Sequence, residues 1–156
     1  MASLGYPIHA GGIALSFVFG QPIVDWANSK IVGNPGFDNP VGFGILKQDK
    51  LIGAVVFDNY RPIAKSVCVS IALTDKRALN RQKLRELFEY PFIKLSCNRL
   101  VCMIENCNTP SINLARQLGF VHEGTLRQAS LNNNDILIFG MLRNECKWLL
   151  ENSQII

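Results

Sequence analysis

The apolar positions along this chain change period several times, and each change marks an element. Gly12 to Phe19 is a short apolar run that reads as a buried first strand. Gln21-Pro22 opens a helix with proline in its first turn. That helix runs to about Lys30 and is broken by Gly33-Asn34-Pro35-Gly36. Val41–Lys47 and Leu51–Asp58 are apolar runs split by Gln48-Asp49-Lys50, the spacing of a β-hairpin. Asn59–Lys65 is a loop. Val67–Leu73 (VCVSIAL) is hydrophobic almost throughout, as expected of a strand covered on both faces.

From Ala78 to Leu95 the period becomes helical, with Leu84, Leu87, Phe88, Phe92 and Leu95 on one face. Thr74 or Asp75 is the expected N-cap, and Pro91 should kink or end the helix. Arg99–Ile104 returns to strand. Thr109-Pro110 opens a second amphipathic helix, which Gly119 ends as a left-handed cap. Phe120–Leu131 and Ile136–Met141 read as strands around the turn Asn132-Asn133-Asn134, and Arg143–Leu150 as a last short helix. The order β-α-β-β-β-α-β-α-β-β-α predicts an α/β (α+β) architecture, a mixed sheet with helices on its faces.

Composition narrows the class. A length of 156 residues predicts one domain, and 48% hydrophobic against 18% charged residues is neither disordered nor membrane-like. The net charge of +4 suits an anionic ligand as readily as nucleic acid. Aromatic–basic interleaving, a finger and a helix-turn-helix signature are all missing, so no nucleic-acid partner is expected. The five cysteines are odd in number and form no C-x-x-C pair, and only His9 and His122 accompany them. Reduced thiols are therefore expected, with neither a disulfide framework nor a metal site. Ile8–Phe19 has no Lys or Arg before it and is interrupted by Gly11 and Gly12. It reads as a strand rather than a signal or membrane span, so the expected location is cytoplasmic.

Two segments carry a family resemblance. Asn108-Thr-Pro-Ser-Ile-Asn-Leu-Ala-Arg-Gln-Leu-Gly-Phe120 is followed by Glu123-Gly124-Thr125-Leu126-Arg127, and the chain closes on Phe139-Gly-Met-Leu-Arg-Asn-Glu-Cys-Lys-Trp148. Residues 74–149 thereby resemble the GNAT superfamily of N-acetyltransferases, in particular its ribosomal-protein N-terminal acetyltransferase branch and small phage and prophage members. The resemblance implies a mostly antiparallel mixed sheet splayed between its fourth and fifth strands, here Val67–Leu73 and Arg99–Ile104. It implies acetyl-CoA held in that splay along Val67, Val69 and Ile71. The acceptor it implies is an amine, on a protein or a small molecule, and a homodimer is common in the family. No metal and no membrane are implied.

The chain also departs from the family pattern. The pyrophosphate loop, usually Arg/Gln-x-x-Gly-x-Gly/Ala, aligns with Asp75-Lys-Arg-Ala-Leu-Asn80, so Ala78 and Asn80 replace both glycines. Lys76, Arg77 and Arg81 either compensate with charge-assisted phosphate contacts or form a solvated basic helix start. The Tyr that many members use as acid falls on Ala115. Ser111 matches the serine of the ribosomal-protein branch. Two roles are open to it, contact with the leaving thiolate and capping of its helix. Asn108 either contacts the cofactor or braces a turn. Acetyl transfer needs a base for the amine. Glu105, at the end of the fifth strand, is the first candidate, and Glu123, His122 and Asp135 are outside ones. The branch's base falls near Ser130, which cannot serve. Arg127 and Arg143 orient an acidic substrate or pair on the surface. Two functions follow, an acetyl-CoA-dependent N-acetyltransferase and a catalytically impaired GNAT-fold module that binds CoA or a protein.

Overall fold

Gln48 and Asp49 both take positive φ (50° and 61°), the two-residue turn whose twist matches the flanking strands. They join β4 (Val41–Lys47) to β5 (Lys50–Arg61), and β5 pairs on its other side with β6 (Ser66–Leu73). This hairpin-based half is completed by β3 (Val18–Phe19) on the outer edge of β4 and by α1 (Gln21–Lys30). The second half contains α2 (Arg81–Glu89), β7 (Arg99–Glu105), α3 (Thr109–Leu118), β8 (Val121–Leu126) and β9 (Ile136–Leu142). Two further strands, β1 (His9–Ala10) and β2 (Ile13–Ala14), pair as a separate ribbon. The computed structural model describes residues 9–10, 13–14, 17–31, 33–34 and 36–149. Of the expected first strand, Gly12, Leu15 and Ser16 lie outside the described residues, as do Ile8, Gly11, Pro35 and Leu150.

The large sheet has the order β3-β4-β5-β6-β7-β9-β8, and every neighbouring pair is antiparallel except β6 with β7. Side chains alternate across it. On β5, Ala54 and Val56 turn to α1 and pack with Ile23, Ala27 and Ala72. Val55 and Phe57 turn the other way, to the larger core under α2 and α3. Gly44 lets α1 approach: a Cβ there would meet Ile23 Cδ1 at 2.6 Å and Val18 Cγ2 at 2.9 Å. No helix among the described residues is long and apolar enough to cross a membrane.

Several boundaries differ from the sequence reading. The helix expected over Ala78–Leu95 is three pieces. Asp75 caps a single 3-10 turn (Lys76–Ala78), and Asn80 accepts the Lys83 N–H at 2.9 Å as the cap of α2. Pro91 then turns the chain into a π turn, Tyr90–Lys94. The strand expected to reach Leu131 stops at Leu126, because Ser130 Oγ accepts the backbone N–H groups of Asn132 (3.2 Å) and Asn134 (3.0 Å) and folds that segment into a loop. The last helix expected over Arg143–Leu150 is a 3-10 turn at Arg143–Glu145. Beyond it, Lys147 and Trp148 donate to the carbonyls of Gln117 (3.0 Å) and Leu118 (2.8 Å). Those contacts tie the tail to the open end of α3, and they outweigh a helix too short to nucleate well.

Candidate active site

The parallel pair β6/β7 is joined over three residue pairs, Ser66↔Arg99, Val67↔Leu100 and Cys68↔Val101. Beyond them the two strands part. Each remains fully paired on its outer side, β6 with β5 up to Leu73 and β7 with β9 up to Glu105. The inner edges of 69–73 and 102–105 therefore face a gap with backbone donors and acceptors unclaimed by a ladder. This gap is a cleft of about 370 Å³. Its walls are Val69–Leu73 and Cys102–Glu105. α3 contributes Asn108, Ser111, Leu114 and Ala115 from one face of the sheet, and the segment after α1 contributes Gly33, Asn34 and Phe37 from the other.

The structure brings Glu105, Asn108 and Ser111 together on this wall. Asn108 is the N-cap of α3, its side-chain oxygen accepting the Ser111 N–H at 3.3 Å. The capping role once open to Ser111 is thus filled by Asn108, and Ser111 lines the cleft. α3 ends as expected at Gly119, with φ 107°. Glu105 closes β7 and reaches the segment after α1, where a Cβ on Gly33 would lie 2.6 Å from Glu105 Oε1. Glycine at 33 (φ 77°) is what admits the carboxylate. The Cys107 thiol donates to Glu105 Oε2 at 3.6 Å, and Asn132 Nδ2 donates to Oε1 at 3.4 Å. Ala115, where many GNAT proteins place a tyrosine, puts no hydroxyl into the cleft it lines. Two thiols also face the gap. Burial pushes Cys68 up, and burial together with its neighbour Cys68 pushes Cys102 up to about 12, so both are protonated at neutral pH.

Val69 and Ile71 line the cleft. Val67 sits in the joined part opposite Leu100, with its side chain in the core. The basic segment before α2 folds back on itself. Asp75 accepts the backbone N–H of Arg77 at 2.9 Å and its guanidinium at 3.2 and 3.1 Å. These contacts to Arg77 hold the Asp75 carboxyl below its ordinary range. The N–H groups of Ala78 and Leu79 are used locally. Lys76 is the first residue of this turn and Arg81 the first residue of α2. Lys47 and Lys83, which the sequence reading missed, line a second groove with Asp75, Arg77 and Ala78. Only the hairpin's tertiary position brings Lys47 there, so no local signal announced it.

The remaining candidates stand elsewhere. Glu123 pairs with Arg99 and packs over Gly140, where a side chain would have to displace its carboxylate. His122 Nε2 lies 2.8 Å from the Gly124 carbonyl oxygen. Asp135 accepts the Gln128 N–H at 2.9 Å and orders the 127–135 loop. Arg127 and Arg143 are exposed.

No family profile matches the chain. The fold aligns with those of solved acetyltransferases. The chain aligns with a variant of the spermidine N-acetyltransferase SpeG of Vibrio cholerae at TM-score 0.62 and 21% identity, over 83% of this chain and 77% of that one. This is the GNAT acetyltransferase fold. The ribosomal L7/L12 α-N-protein acetyltransferase RimL, in complex with coenzyme A, aligns at TM-score 0.58 and 21% identity, over 66% of this chain and 62% of that one. The ribosomal-protein-S5-alanine acetyltransferase of Vibrio fischeri aligns at 0.58 and 18% identity, over 69% and 64%. Among curated proteins, the "uncharacterized N-acetyltransferase p20" of Bacillus licheniformis is 36% identical over 67 residues, which are 41% of this chain and 38% of that protein's length. The GNAT resemblance read from residues 74–149 is thus borne out, and so is the mostly antiparallel sheet splayed at its parallel pair.

Proposed function

We propose that the chain binds acetyl-CoA along the parted edges of β6 and β7 and transfers the acetyl group to a primary amine. The observation that carries this reading is the divergence of β6 and β7 after three paired residues, with Glu105 and Ser111 on the walls of the gap. A pantetheine arm carries peptide-like amides, and the unpaired strand edges are complementary to it in the manner of an added strand. Asn108 organises the α3 end of the cleft, and Lys76, Arg77, Arg81, Lys47 and Lys83 supply positive charge beyond Leu73 for the phosphates.

The amine enters from the face covered by α1 and the 33–38 segment. Its nitrogen must be neutral to attack, so its ammonium proton passes to Glu105. The nitrogen–carbonyl bond forms, the attacking nitrogen gives up its second proton to solvent, the carbon–sulfur bond breaks, and the departing thiolate takes its proton at the Ser111 hydroxyl. That hydroxyl is resupplied from the proton on Glu105 through solvent. Neighbouring acetyltransferases named for spermidine and for ribosomal proteins support an amine acceptor of either size.

Calorimetry with acetyl-CoA tests the reading. The wild type should bind in the micromolar range. A Lys76→Ala/Arg77→Ala/Arg81→Ala variant should bind at least about tenfold more weakly, the loss expected from one or two charge-assisted contacts. Equal binding by the variant moves the phosphates to Lys47 and Lys83, and no binding by either protein refutes the assignment. The self-capped Asp75–Arg77 turn and Ala115 favour a second reading, a module that binds CoA without turnover. It predicts binding with no thiol released in the presence of any amine.

A further inference from the structure

The second half of the sheet leaves one face open. On the α1 side, the registers set Glu105 beside Ile136 and Leu126, and Met103 beside Ile138 and Gly124. The residues that alternate with these on β7 and β9 turn to the core under α2 and α3. α1 itself lies over β4, β5 and β6. Met103 is therefore 52% exposed, Leu126 44% and Val121, in the next row, 53%, while Ile136 and Ile138 are half-buried. Gly124 deepens the middle row, since a Cβ there would meet nothing within 4 Å.

This face is continuous with the cleft, because Glu105, Met103 and Ile136 line both. From the Glu105 carboxylate it runs back along β7 to Arg99, about 20 Å at about 3.3 Å per residue. Among the described residues of these three strands, charge on this face is confined to its ends. Glu105 stands at one end, and Arg99 and Glu123, which pair with each other, at the other. β9 carries no ionisable residue. A chain with a second or third ammonium would lay it on Met103, Ile138 and Leu126 with no carboxylate to receive it, and a charge desolvated without a partner is costly. A chain of methylenes loses water there instead, a gain of about fourfold in affinity for each methylene fully buried.

We propose that the open face of β7, β9 and β8 is the acceptor platform, and that the acceptor is a monoamine with an apolar carbon chain. The ammonium stands at Glu105, and the chain lies over Ile136, Met103, Ile138 and Leu126. This rests on the acetyl-transfer reading and names the substrate class of that site. The platform selects against a polyamine, although the fold is that of an acetyltransferase named for spermidine.

Thiol release is followed with butylamine, octylamine and spermidine as acceptors, and acetyl-CoA binding by calorimetry. Two variants alter the platform. Gly124→Val fills the open middle row with a residue suited to a strand, and Leu126→Gln makes the first row polar. In the wild type, the KM for octylamine should lie at least about tenfold below that for butylamine, and spermidine should gain nothing over butylamine. Each variant should bring the two monoamine values within about threefold of each other by raising that for octylamine, with acetyl-CoA affinity unchanged. Where Gly124→Val fails to fold, Leu126→Gln still decides. Equal KM values for the two monoamines in the wild type, a preference for spermidine, or an octylamine advantage that both variants keep overturns the platform while leaving acetyl transfer intact. So does a dimer in sedimentation that either variant dissociates without changing the amine preference, since a second copy then covers the face. A wild type that neither binds acetyl-CoA nor releases thiol with any of the three amines overturns the enzyme reading, and the platform falls with it.

Discussion

Phe43→Ala should lower the melting temperature by roughly 6–20 °C, from a loss of about 3–5 kcal/mol at about 2–4 °C each for a chain of this size. Phe43 is 6% exposed on β4 and is the hub of an aromatic cluster. Its ring centroid lies 4.7 Å from Phe19, 4.9 Å from Tyr90, 5.5 Å from Phe57 and 5.7 Å from Phe17, all edge-on or nearly so. These partners come from β3 and the residue before it, β5 and the π turn, so truncation opens a void that no single neighbour can close. Ile63→Ala is the control, since Ile63 is 99% exposed and its loss should shift the transition by no more than about 1–2 °C. Thermal melts of both variants by circular dichroism check this. A Phe43→Ala transition within 2 °C of wild type would falsify the hub assignment.

What the sequence disclosed about the fold divides along a physical line. The bounds of α3 were legible because their signals are local: Thr109 and Pro110 at the start, a helical stripe, and Gly119 at the end, whereas its cap is Asn108 and not Ser111. The β4–β5 hairpin was legible for the same reason. α2 was blurred because Asn80 and Asp75 are both competent caps a few residues apart, and only the completed fold shows that each caps its own turn. The tail was misread because its amphipathic pattern is real, yet Trp148 and Lys147 spend their hydrogen bonds on the carbonyls ending α3. Strand length at β8 failed at Ser130, whose hydroxyl gathers two backbone N–H groups in a way no periodicity reports.

The site was half legible. Glu105, Asn108 and Ser111 follow one another from strand end to helix start, so their closeness along the chain carries them to the same wall. The phosphate side shows the reverse. Loss of the glycines at Ala78 and Asn80 was visible, but not its consequence, a turn whose donors are satisfied from within by Asp75 and Asn80. The proposed phosphate contacts there therefore lean on side-chain charge more than on backbone N–H groups.

Glu105→Gln should reduce kcat by about 10²–10⁴-fold while leaving acetyl-CoA binding unchanged. The side chain ends at the mouth on the α1 face, with Oε1 at the Gly33 backbone and Oε2 accepting from the Cys107 thiol, and glutamine fits the same space. What glutamine cannot do is accept the ammonium proton, so the loss falls on the chemical step. At constant acceptor, raising the pH should recover part of the rate in Glu105→Gln, because a larger share of the amine is already neutral. A merely structural glutamate would show no such recovery, and its replacement would weaken acetyl-CoA binding or lower the melting temperature instead. Retention of kcat within about threefold would assign the proton to solvent.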